Sequence, residues 1–140
     1  LGANDIWLLQ AQRSNVPIKG ERLAQKLEHW RRIIASACEQ CGRLWMPMLR
    51  GPDATGDVLS QLSKDMISVA FDPHGESLPA VLEAAPRLLF IGPEGGWSGD
   101  ERALFEQNQV AIYRLGPTVL RAETMPGVAL ALVQQAQGWR

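Results

Sequence analysis

Two segments concentrate the residue types that build ligand pockets. One is Ile91-Gly92-Pro93-Glu94-Gly95-Gly96-Trp97-Ser98. The other is Leu115-Gly116-Pro117-Thr118-Val119-Leu120-Arg121-Ala122-Glu123-Thr124. Glycine admits positive φ and lets backbone come close to a bound molecule. Ser98, at the start of a helix, adds free amides and a positive dipole end. One such loop alone reads as a tight strand-to-helix turn. Two of them after consecutive strands read as a ligand site, because parallel α/β sheets bind ligands beyond the carboxyl ends of their strands. The spacing is neither Gly-x-Gly-x-x-Gly nor a phosphate loop ending in Gly-Lys-Ser/Thr, so dinucleotide and triphosphate readings lack their fingerprint.

Other reactive residues read as structural. Cys38 and Cys41 spell Cys-x-x-Cys. Zinc would want two more ligands, and only His29 and His74 remain, at unhelpful spacing. A redox pair gains from a helix N-terminus, whereas these cysteines fall near the C-terminal end of an expected helix. They read as core or half-buried thiols. His29 reads as a surface helix position. Arg31, Arg32, Arg43 and Arg50 make either a local basic face or a solvated helix face. Trp7, Trp30 and Trp45 lie in apolar patterns and are expected in the core.

The two loops need elements to hold them. Short apolar runs at Asp5–Leu9, Leu44–Leu49, Met66–Phe71, Leu88–Ile91 and Val110–Leu115 read as strands, the first as a buried one and the second irregular because of Pro47. Asp72-Pro73-His74-Gly75 reads as a turn. Gln12–Gly20 reads as a loop. Leu23, Leu27, Trp30, Ile34, Ala37 and Cys41 share one face of a helix over Glu21–Cys41, stopped by Gly42. Shorter helices are expected at Val58–Leu62 and Leu78–Ala85. Ser98 and Glu101 form a capping box for a helix reaching about Gln107. A last helix runs from Met125 to Gln137, with Pro126 tolerated in its first turn. Alternation of strand and helix gives an α/β domain with a mostly parallel sheet.

The 140 residues are the usual size of one domain. The 46% apolar and 21% charged composition argues against disorder. The 14 basic and 15 acidic residues exclude a strongly basic nucleic-acid arm, though not a basic patch. No apolar run approaches a membrane span, and no signal peptide follows Leu1. Two cysteines do not make a secreted disulfide framework, so a cytosolic location is expected. The chain, which does not start with Met, is expected to be a fragment of something longer.

Four motifs carry a family resemblance. Gly92-Pro93-Glu94-Gly95-Gly96-Trp97-Ser98 resembles the Gly-Pro-Glu-Gly-Gly-aromatic-Ser loop of the bacterial 16S ribosomal RNA uridine-N3 methyltransferases. Leu115-Gly116-Pro117, Leu120-Arg121 and Glu123-Thr124 resemble their second signature. Glu39-Gln40-Cys41-Gly42-Arg43 is similar to their Glu-Gln-Ser-x-Arg stretch, and Arg13-Ser14 to the Arg-Ser before the long helix. The matches run in order along nearly the whole chain. Thr118 stands where the family often has arginine, Ala122 where threonine is common, and Met125-Pro126-Gly127 where small residues usually follow.

The resemblance implies the SPOUT fold, an α/β domain with helices on both faces of its sheet and a C-terminal trefoil knot, an exception to the general rule against knots. It implies that residues 1–140 are the methyltransferase domain, with the family's N-terminal RNA-binding barrel and the strand and helix after it lying outside this chain. It implies S-adenosylmethionine as cofactor, 16S ribosomal RNA or the small ribosomal subunit as partner, a homodimer joined through the last helix, and no metal. Val128, Leu130, Leu132 and Val133, on more than one face of that helix, fit such burial. Ile91, Gly92, Pro93, Gly95, Gly96, Leu115, Gly116, Val119 and Leu120 are expected to hold the cofactor. For methyl transfer to uracil N3, Arg121 is the candidate for stabilising the developing anion, and Glu94 and Glu123 for proton removal or cofactor contact. Glu94 reads equally well as a helix cap. Arg13, Gln40 and Arg43 are assigned to RNA contact. Two alternatives are another SPOUT enzyme acting on a ribose 2′-hydroxyl or a transfer RNA base, and a fragment that binds cofactor or RNA without turnover.

Overall fold

A computed structural model describes residues 1–14, 20–63, 65–79, 86–136 and 138. The chain forms two compact units. One comprises Gly2–Gln10 and Asn15–Asp53; the other comprises Leu1, Ala11–Ser14 and Ala54–Arg140.

The first unit holds β1 (Asp5–Gln10), α1 (Glu21–Cys41) and β2 (Met48–Ala54). β1 and β2 form a two-stranded sheet of their own. The α1 boundaries follow the sequence expectation. Gly42, at φ 70°, closes the helix in the left-handed region. The Arg43 amide reaches Cys38 O at 2.9 Å and the Gly42 amide reaches Glu39 O at 3.3 Å, a pair of hydrogen bonds that satisfies the last free carbonyls. The inward stripe is Leu23, Leu27, Trp30, Ile34 and Cys38, whereas Ala37 and Cys41 are exposed. From Ile34, a step of four keeps closer to the stripe than a step of three. Cys38 is thus a buried thiol and Cys41 an exposed one.

Three expectations in this unit are corrected. β1 is only half-buried, since a two-stranded ribbon leaves much of each strand in solvent. β2 starts at Met48, after Pro47, which cannot donate to a ladder. Trp45 is 64% exposed rather than part of a core. Trp7, by contrast, is half-buried and donates its Nε1–H to Asp53 Oδ2 at 2.6 Å.

The second unit holds α2 (Thr55–Ser60), β3 (Ser68–Ser77), β4 (Leu88–Ile91), α3 (Gly99–Gln107), β5 (Ala111–Arg114) and α4 (Met125–Ala136). Its sheet has the order β4-β3-β5 with both pairings parallel. The period of two divides the strand residues between two cores. Val69, Phe71, Leu89, Ile91, Ala111 and Tyr113 pack with Ala129 and Met125 of α4. On the other face Phe90 meets Trp97 and Phe105, with ring centroids 6.5 and 5.0 Å away. Helices therefore cover both faces of this sheet, as expected.

β3 departs from expectation. It runs on through Asp72-Pro73-His74-Gly75, the segment read as a turn. The turn chemistry is present, because Asp72 Oδ1 accepts the His74 amide at 2.8 Å. It forms a bulge: Phe71 and Glu76 both stand opposite Tyr113, and pairing resumes at Ser77 with Arg114. A bulge removes the residues from the ladder, which is where Pro73 is tolerated. Gly75 is needed there, since a Cβ would stand 2.7 Å from Ile112 O.

α2 begins at Thr55, three residues earlier than expected. The expected helix at Leu78–Ala85 lies for the most part outside the described residues, as does Gln137 at the end of α4. α3 has the full capping box: Ser98 Oγ accepts the Glu101 amide at 3.1 Å and Glu101 Oε2 accepts the Ser98 amide at 3.0 Å. In α4, Ala129 and Val133 are buried, Val128 and Leu130 are half-buried, and Leu132 is 38% exposed.

Candidate functional site

The bulge of β3 and the carboxyl ends of β4 and β5 open into one cleft of about 140 Å³. β3 supplies Phe71, Asp72 and Pro73. The last residue of β4 and the segment after it supply Ile91, Gly92, Pro93, Glu94 and Gly96. The last residue of β5 and the segment after it supply Arg114 to Leu120 and Ala122, and Met125 opens α4 at its edge.

The first loop is held from below by Trp97. Its indole is 1% exposed and donates Nε1–H to Phe71 O at 3.0 Å, pinning the loop to the central strand. A Cβ on Gly92 would stand 3.1 Å from Trp97 Cε2, so glycine lets the backbone lie on that ring without displacing it. Gly96 has φ 67° and closes a turn onto Pro93 O at 2.8 Å.

Glu101 fixes the loop's far end. Its carboxylate is 2% exposed. Besides the Ser98 amide, it accepts Thr55 Oγ1–H at 2.8 Å and the Gln12 amide at 3.1 Å. One buried anion thus ties α2, the Ala11–Ser14 segment and the start of α3 together. Sequence showed its capping role, while its long-range donors had no local signal.

The expected cofactor residues Ile91, Gly92, Pro93, Gly96, Leu115, Gly116, Val119 and Leu120 all line the cleft. Gly95 does not. It packs on Arg13, whose Cβ would stand 3.2 Å from an added methyl, and Arg13 Nη1–H donates to Gly95 O at 3.0 Å. Arg13 therefore props the loop from behind. Glu94 lines the cleft, is exposed and caps no helix, since Ser98 and Glu101 fill that role for α3. Arg121 and Glu123 are exposed and stand outside the lining, although Leu120 and Ala122 on either side of Arg121 belong to it. The Arg121 carbonyl accepts the Thr124 and Met125 amides and so starts the turn into α4. Gln40 and Arg43 belong to the other compact unit. Arg43 donates to Ala3 O at 2.6 Å and Asn4 Oδ1 at 2.9 Å, and Gln40 is exposed.

Asp72, missed as a site residue, is buried in the cleft wall. The available signal was an acid directly after the apolar run of β3, which the turn reading absorbed. Among the described residues no cluster of three or more His, Cys, Asp or Glu could hold a metal, and no helix is long and apolar enough to cross a membrane.

The RNA methyltransferase domain pattern matches residues 1–134. The chain belongs to the RNA methyltransferase family. Within that family it is 31% identical over 139 residues to ribosomal RNA small subunit methyltransferase E of Mycobacterium bovis, covering 94% of this chain and 53% of the relative. It is 32% identical over 144 residues to the protein of that name from Bacillus subtilis, covering 95% and 56%. Among solved structures, a Legionella pneumophila protein described as a methyltransferase, in complex with S-adenosylmethionine, is 34% identical with a TM-score of 0.82, over 94% of this chain and 55% of that one. Ribosomal RNA small subunit methyltransferase E of Neisseria gonorrhoeae, bound to S-adenosylmethionine, is 27% identical with a TM-score of 0.84, over 96% and 55%. This family member spans about half the length of the relatives it matches.

Proposed function

We propose that residues 1–140 are the methyltransferase domain of an enzyme that methylates N3 of a uridine in 16S ribosomal RNA, with S-adenosylmethionine as methyl donor. The observation that carries this reading is the cleft between two glycine-bearing loops at the carboxyl ends of parallel strands. It joins relatives named as small-subunit rRNA methyltransferases to neighbours solved with that cofactor. The lining fits the cofactor. Gly92 and Gly96 leave backbone uncovered, Ile91, Leu115, Val119 and Leu120 offer an apolar wall, and Asp72 and Glu94 offer charge for a cationic ligand.

When bound, the cofactor supplies an electrophilic methyl group. The chain's own residues must then bind the base, take the N3 proton and balance charge on the ring. Glu94, exposed and uncommitted among the described residues, is the candidate for that proton. Arg121 ends a loop whose neighbours line the cleft, and its side chain has no partner among the described residues. Its guanidinium is free to pair with the uracil carbonyls or a phosphate. Glu123 is a reserve for cofactor contact. Gln40 and Arg43 are proposed to meet RNA, and Arg13 to combine loop support with RNA contact.

The remaining proposals are a trefoil knot formed by the C-terminal segment, a homodimer through α4 and a cytosolic location. Exposed Leu132 on a mostly apolar helix supports the dimer. The test is to incubate the full-length protein and cofactor with 16S RNA from a strain lacking the enzyme. A gain of one methyl on a uridine, mapped to N3 by nucleoside mass spectrometry, is expected. Methylation of a ribose hydroxyl, of another base atom, or of nothing refutes the reading.

A further inference from the structure

Asp72 is a buried acid that the reaction outlined above does not use. Its side chain is 1% exposed, yet it lines the cleft from the bulge of the central strand. Its two oxygens have different surroundings. Oδ1 accepts the His74 amide at 2.8 Å, faces His74 Nδ1 at 3.1 Å and lies 3.9 Å from Arg102 Nη1. Oδ2 receives no hydrogen bond from a described residue. It is also not one of the fully enclosed side-chain oxygens, since every enclosed one has a partner, so it opens to the cleft. Gly96 is its neighbour across the cleft lining: a Cβ there would stand in ordinary contact with Oδ2, at 3.8 Å. The nearest cation, Arg102, stands on the Oδ1 side at 3.9 Å, so Oδ2, on the cleft lining and without a donor among the described residues, suits a second cationic group.

Resting on the cofactor reading above, we propose that Asp72 Oδ2 is the acceptor for the α-ammonium of the cofactor's methionyl end. S-adenosylmethionine carries two cationic groups, and the chemistry selects between them. A carboxylate beside the sulfonium would favour the charged ground state over the transition state, in which that charge fades, and so would slow transfer. The ammonium keeps its charge throughout, so a carboxylate there anchors the ligand without opposing the reaction. The cleft also holds the balancing partner for the methionyl carboxylate in Arg114, whose Nη2 donates to Ser77 Oγ at 2.9 Å while its other donors stay available.

Calorimetry on the full-length protein tests this with three ligands: S-adenosylmethionine, S-adenosylhomocysteine and 5′-methylthioadenosine, which keeps the ribose and adenine but lacks the amino-acid tail. Asp72→Asn preserves the Oδ1 acceptor for His74 and replaces Oδ2 by an amide that repels ammonium. It should weaken the first two ligands equally, by roughly 10- to 100-fold, and leave the third unchanged. His74→Ala, which keeps the carboxylate, should bind all three like wild type. Equal loss of methylthioadenosine would assign Asp72 to the ribose and overturn the proposal. Loss confined to S-adenosylmethionine would assign it to the sulfonium and overturn the proposal as well. Unchanged affinity for all three also refutes it while leaving the cofactor reading intact, whereas no binding by wild type defeats both. Should Asp72→Asn fail to fold, wild type is measured against the deaminated analogue of S-adenosylhomocysteine, for which a loss of at least roughly tenfold is expected and equal affinity overturns the idea.

Discussion

Glu101→Gln is the sharpest probe of how the site is held. The wild-type carboxylate accepts three donors from three places in the chain: the Ser98 amide on Oε2, and Thr55 Oγ1–H with the Gln12 amide on Oε1. Glutamine has the same shape but one acceptor oxygen. If that oxygen takes the Oε1 position, the new NH2 faces the Ser98 N–H and leaves that buried donor unpaired. An unsatisfied buried donor costs ~1–3 kcal/mol, and loss of charge assistance weakens the two surviving bonds by a further ~0.5 kcal/mol each. The expected loss is therefore ~2–4 kcal/mol. At roughly 3–5 °C per kcal/mol for a domain of this size, Tm should fall by roughly 6–20 °C. Urea unfolding should show a lower midpoint with an unchanged slope, the sign of altered stability without altered compactness. Thr55→Ala should cost less in the glutamine background than in wild type, because the two residues share a bond. A midpoint for Glu101→Gln equivalent to less than ~0.5 kcal/mol from wild type would refute the idea that this carboxylate ties the loop to its supports.

Other substitutions reach the function directly. Arg121→Ala should lower turnover by roughly 10²–10³-fold with cofactor affinity little changed, and Arg121→Lys should fall between; wild-type turnover in single-turnover kinetics would make Arg121 structural. Gly116→Val places a β-branched residue at φ 70°, where only the backbone and no crowding demands glycine. It should weaken cofactor binding at least roughly tenfold by calorimetry, and retained affinity would detach this loop from the cofactor. Leu132→Glu puts a charge on the exposed side of α4 and should give a monomer in light scattering where wild type is a dimer. A wild-type monomer would remove the proposed interface.

What could be read from the sequence was what is local. α1 declared itself through its apolar stripe and Gly42, β4 through an unbroken apolar run, and α3 through Ser98 and Glu101. Both cleft loops were visible because glycine and proline punctuate the chain. What escaped depends on partners far away in sequence. Asp72-Pro73-His74-Gly75 has the composition of a turn, and only its pairing with Tyr113 and Arg114 makes it a bulge inside a strand. Asp72 was hidden by the same misreading. Glu101's bonds to Thr55 and Gln12 leave no periodic trace. Trp45 looked like core because the residues around it are apolar, and its exposure follows from where the chain turns after α1.

The sheet order has a metrical consequence. β4 and β5 carry the two loops, and β3 lies between them, so the two carrying strands never share a hydrogen bond. Their separation is two strand spacings, about 9.5 Å, a gauge set by backbone geometry and indifferent to side chains. Substitutions in either loop can reshape the walls of the cleft without widening it. The bulge after Phe71 acts on the remaining dimension: it raises or lowers the floor between fixed walls. Variation among relatives that changes which ligand fits should therefore fall in loop side chains and in bulge length, while the three strands stay the same distance apart.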